Sequence, residues 1–89
     1  MHTRSVRALQ ADALFASALQ RSDEVNVSQI HQAIAESLDA YGDAGCAGRV
    51  AQEFGDHPET ATARMRWARA TVAVMDDQPV PGMRWIAAA

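Results

Sequence analysis

No lysine occurs in the 89 residues; all eight basic side chains are arginine, set against eleven acids for a formal charge of −3. A GC-rich coding bias accounts for that choice, and an acidic balance does not provide the basic field that nucleic-acid phosphates attract. The single cysteine, Cys46, cannot form an internal disulfide, which fits a reducing compartment. No apolar run reaches the roughly 18 residues that suggest a membrane span. Nor does the N-terminus show the charged, greasy, small-residue progression of a secretory leader, so a cytoplasmic location without membrane association is expected. The chain also lacks Cys-x-x-Cys, paired histidines at i and i+4, a glycine-rich phosphate loop and a nucleophile elbow. His2, His31, His57 and Cys46 therefore do not form a ligand pattern, and neither an enzyme nor a cofactor is expected. No repeat of about 20–50 residues indicates a solenoid.

What is present is helical. Hydrophobic residues make up 48% of the chain, many of them alanine, so a thin core of a few large side chains is expected, with helices in close approach. The pattern predicts an all-α domain over residues 1–78, with four helices at about 3–21, 27–41, 44–54 and 57–75, and an extended apolar tail over 79–89. The first segment gathers Ala8, Ala11, Phe15, Ala18 and Leu19 on one face, with Leu9 and Leu14 flanking it and Asp12 at its rim. Asn26 as N-cap with Gln29 three residues on, and Val25 stapled to Ile30, mark the next start. Val27, Ile30, Ile34, Leu38 and Tyr41 then share a face, and Gly42 ends the helix. In the third segment Ala47, Val50, Ala51 and Phe54 are expected inward.

The fourth segment is the most informative. Gly55 suits a left-handed stop, and Asp56, Pro58 and Glu59 read as N-cap, first-turn proline and capping carboxylate. Beyond them run two apolar stripes. Ala61, Met65, Ala68, Val72 and Met75 fall on one side, while Ala63, Trp67, Ala70 and Val74 fall nearly opposite. A helix wetted on one face needs a single stripe, so this one is expected to be covered twice. Pro79, Pro81 and Gly82 then break the helix, and Met83, Trp85 and Ile86 are too apolar for a solvated end. The tail is expected to return along the last helix, in its own molecule or in a partner. Trp67, Ala70, Val74, Met83, Trp85 and Ile86 are thus the interaction candidates, for a protein partner or self-association in a possible homodimer.

The rival reading is a helix-turn-helix over residues 47–75. The alanine-then-glycine rhythm of Ala51 and Gly55 before a capped helix resembles that motif, with Arg64, Arg66 and Arg69 available to DNA phosphates. Against it, Arg64 occupies a position the motif buries, and Trp67 and Val74 occupy the surface meant for base edges. The overall acidity also disfavours nucleic acid as a partner.

The runs from Leu14 to Asp23 and from Glu53 to Glu59, together with the pair Gly45–Cys46 and the segment from Arg64 to Ala68, resemble a group of short actinobacterial proteins of unknown function. The likeness extends to about Val74 and implies a bacterial origin; it implies no mechanism.

Overall fold

A computed structural model describes residues 5–20 and 26–76. The expected tail, with Met83, Trp85 and Ile86, lies outside the described residues, as does Val25 of the expected staple.

The described chain is all-helical, with no strand among the described residues. It has three helices where four are expected: α1 (Val6–Ala16), α2 (Val27–Asp56) and α3 (Pro58–Asp76). The difference arises at Gly42, whose φ of 68° and ψ of 175° kink α2 without ending it. That combination is essentially restricted to glycine, because a Cβ would collide with its own backbone. The two expected segments 27–41 and 44–54 are therefore the two arms of one bent element.

Three contacts fasten the kink. Gly45 lies beneath Tyr41, where an added Cβ would stand 2.8 Å from the Tyr41 Cβ. The Arg49 guanidinium carbon sits 3.8 Å from the centre of the Tyr41 ring, within the range of a cation–π contact. The Cys46 thiol, fully buried, donates to the Ser37 carbonyl across the bend at 3.6 Å.

Helix ends account for the remaining departures. Ser5 caps α1 by accepting from the Ala8 N–H at 3.1 Å. The helix then stops at Ala16, five residues before the expected end at 21. Ser17 turns extended there, and its hydroxyl donates back to the Leu14 carbonyl at 2.6 Å while accepting from the Leu19 N–H at 3.3 Å. Ser17 thereby offers the chain a local alternative to another helical turn. At the start of α2 the capping box is complete, with reciprocal bonds of 2.9 Å between Asn26 and Gln29.

The junction of α2 and α3 is shorter than expected. Gly55 is helical, and among the described residues Gly42 alone has a positive φ. Asp56 is the last residue of α2 and does not cap α3. His57 serves both helices: its N–H donates to the Glu53 carbonyl at 2.7 Å, and its carbonyl accepts from the Ala61 N–H at 2.9 Å. Pro58 occupies the first turn of α3 as expected, where no N–H is needed; Glu59 lies in that turn too, at the positive end of the helix dipole, but the Asp56 cap it is expected to complete is absent.

The core forms between α1, the first arm of α2 and the inner stripe of α3. Leu14, Phe15, Ile30, Ile34, Met65, Val72 and Met75 are buried in it with Ala11, Ala13, Ala33, Ala61 and Ala68. Every residue of the expected inner stripe, Ala61, Met65, Ala68, Val72 and Met75, is buried. Elsewhere the expected faces shift: Leu14, placed on the flank by its wheel position, is wholly buried, while Ala8, Ala18, Tyr41, Ala51 and Phe54 are exposed. Phe54 nonetheless stacks on Phe15, with ring centres 6.2 Å apart.

Arg7, Ala8 and Ala11 line one cleft with Arg69, Val72 and Ala73, while Leu14 and Phe15 meet Arg64, so α1 runs antiparallel to α3. The kinked α2 flanks the end of α1 with both arms. Ala33, Ser37 and Tyr41 border residues 16–19 in one cleft, and Arg49 and Glu53 border residues 15–18 in another.

Candidate functional site

The expected site residues lie on α3, and that helix separates them. Arg64 lies between the two stripes on the helical wheel, and its guanidinium turns toward the end of α1. Its Nε donates to the Phe15 carbonyl at 2.8 Å, and its Nη2 donates to the carbonyls of Ser17 and Leu19 at 3.0 Å each and to that of Leu14 at 3.4 Å. Leu14 and Phe15 belong to the last turn of α1, whose carbonyls have no partner within the helix. One arginine thus caps a helix about fifty residues earlier in the chain, and its charge suits the negative end of that helix's dipole.

Partial burial lowers the Arg64 pKa below its ordinary value by desolvation, while the nearby Glu53 carboxylate raises it. The group stays protonated at any physiological pH. The cation also lies 5.7 Å from the centre of the Phe15 ring and 5.0 Å from that of Trp67, so the aromatic anchor of the outer stripe and the cap of α1 share one side chain.

Arg66 and Arg69 are exposed. Arg69 faces α1 across the cleft that holds Arg7 and Asp12, while the Arg64 guanidinium is turned into the structure. The three arginines are therefore scattered and do not make a common basic face. Asp12, expected at the rim of the α1 face, is half-buried in that cleft.

The outer stripe divides in two. Ala63 and Trp67 are half-buried, and Trp67 packs against the core. Ala70 is exposed, and Val74, one turn further on, is 61% exposed. The domain covers its own stripe at the Arg64 end and leaves it open over the last two turns of α3.

The groups that could carry chemistry are apart. Cys46 is sealed beneath the kink, while the exposed His57 imidazole has its Nδ1 3.5 Å from Glu53 Oε2 at the α2–α3 junction. Among the described residues no group of three or more His, Cys, Asp or Glu could hold a metal ion. No helix of the described residues is long and apolar enough to cross a membrane.

The sequence reading did not identify Arg64 as a capping residue. The signal available was negative: residues 17–20 contain no glycine or asparagine for a left-handed cap, and although Ser17 bonds the Leu14 carbonyl locally, the Phe15 carbonyl is left to a donor from elsewhere. Comparison with family models, with curated proteins and with solved structures finds no match for this chain.

Proposed function

We propose that this chain is a small non-enzymatic interaction module, and that it binds a protein partner or a second copy of itself through the outer side of α3. The observation that carries the reading is the contrast within one helix. Its inner stripe is buried at every position, and the stripe nearly opposite surfaces as Ala70 and Val74 beside the half-buried Trp67. Apolar contact area of this kind, anchored by a tryptophan, is what protein interfaces use. Met83, Trp85 and Ile86 supply further apolar anchors from the tail.

Three observations favour this reading over its rivals. The Arg64 guanidinium is held by backbone carbonyls, and the α2–α3 junction is the single residue His57, where a helix-turn-helix has a turn of about 3–4 residues. Cys46, the strongest nucleophile by residue type, is enclosed and bonded to Ser37.

Light scattering over a concentration series tests the proposal. The mass should rise above the 9.6 kDa of one chain toward the upper end of the series, and Val74→Asp should suppress the rise. An unchanged series in Val74→Asp, together with a salt-dependent shift of duplex DNA that Arg66→Ala and Arg69→Ala abolish, would overturn it in favour of DNA binding.

A further inference from the structure

We infer that α2 is a hinge at Gly42 through which two copies of the chain exchange halves: one copy gives α1 and the first arm of α2, the other gives the second arm and α3. The surface used is the molecule's own core, so this association is separate from the outer stripe and does not rest on the interaction reading above.

Three observations lead to it. The bend is confined to one residue. Helix runs on both sides of Gly42, and its φ of 68° and ψ of 175° alone separate the bent element from a straight one of 30 residues, about 45 Å long. Glycine takes negative φ about as readily as positive, so a single residue passes between the two forms and no loop has to reorganise.

The core lies across that hinge. Met65, Ala68, Val72 and Met75 of α3 are buried with Leu14 and Phe15 of α1 and with Ile30 and Ile34 of the first arm. The halves are also joined by the Arg64 bonds to the carbonyls of Phe15, Ser17 and Leu19, by the stack of Phe54 on Phe15, and by the Cys46 thiol on the Ser37 carbonyl. A straightened chain therefore exposes apolar faces that the complementary half fits, and a second straightened copy carries that half.

Each of those contacts joins residues on opposite sides of Gly42, so an exchanged pair remakes them between copies. What it does not remake is the close approach of Gly45 to Tyr41, which belongs to the bend itself. Exchange of this kind closes at two copies. In one chain the tether holds the halves at roughly millimolar concentration. The bent monomer thus prevails in dilute solution, and exchange requires concentrated chain.

Refolding the full chain from denaturant at about millimolar concentration, followed by dilution and light scattering, tests the hinge. A dimer of twice 9.6 kDa should form and should persist after dilution, because reversion requires the core to open. Gly42→Ala disfavours the bend and favours the helix, and should lower the concentration at which half the chain is paired about tenfold or more. Two glycines inserted after Gly42 make the hinge a loop, and should abolish the persistent dimer while leaving a folded monomer. Val74→Asp should leave that dimer unchanged.

Complementation tests the exchange directly. Leu14→Asp and Val72→Asp each place a charge at a wholly buried position, on opposite sides of the hinge. Neither variant should show the near-ultraviolet circular dichroism of the folded chain alone, whereas the two refolded together should recover up to half of it, since one lobe of the mixed dimer carries neither substitution. A mixture no more folded than its parts would overturn the exchange. So would a persistent dimer that survives the glycine insertion, or its absence from Gly42→Ala. Loss of the dimer in Val74→Asp would also overturn it, and would leave the outer stripe as the surface of association.

Discussion

Two helix ends in this molecule solve the same problem by different means. At the start of α2, Asn26 and Gln29 exchange bonds of 2.9 Å and satisfy the N-terminal donors with side chains from the same turn. At the end of α1, Ser17 bonds the Leu14 carbonyl locally, but the carbonyls of Phe15, Ser17 and Leu19 are satisfied by Arg64, which arrives from another helix. The first arrangement is complete before any tertiary structure exists. The second exists only once α3 has docked antiparallel on α1, so it couples the end of one helix to the position of another. A local cap sets where a helix begins; a remote cap also fixes what lies beside it.

Substitutions that act on the two ends separately would sharpen the contrast. The largest effect is expected from Arg64→Ala, which leaves several part-buried carbonyls without a protein donor and should cost about 2–4 kcal/mol in chemical denaturation. Arg64→Lys should recover only part of that loss, because an ammonium keeps the charge but lacks the planar fork that reaches four carbonyls. Equal stability for Arg64→Ala and wild type would remove the distinction between the two ends.

Gly42→Ala comes next. Space is open around this position, so the cost is backbone strain alone, about 1–3 kcal/mol. Thermal unfolding of the variant measures it, and an unchanged midpoint would mean that the bend does not need glycine. Asn26→Ala is expected to have the smallest effect, about 1 kcal/mol, with the loss confined to the first turn of α2. Amide exchange should then quicken near Gln29 and not near Leu14, whereas Arg64→Ala should quicken exchange along α1.

What the sequence discloses follows the same division. The box at Asn26, the proline at 58 and the inner stripe of α3 follow from local pattern and are legible; the glycine at 42 is legible as a break, but it bends α2 where the pattern has it end the helix. Misread features depend on contacts between distant segments. Helix formers continue to Arg21, yet α1 ends at Ala16, because Ser17 bonds back to Leu14 and Arg64 holds the chain that follows. The inward face expected for 44–54 presumes a fresh helix with its own core. In the structure Gly42 sets the direction of that arm, which buries Cys46 and leaves Ala51 exposed. The outer stripe is legible as a pattern, but its division into a covered half at Trp67 and an open half at Val74 depends on where Arg64 stands.

Cys46 gives the bend in α2 a built-in reporter. Its sulfur is inaccessible while Gly45 lies against Tyr41, and its thiol is bonded across the joint. Any reagent that alkylates it must therefore wait for the two arms to part, and the labelling rate becomes a clock for that opening in the unaltered chain.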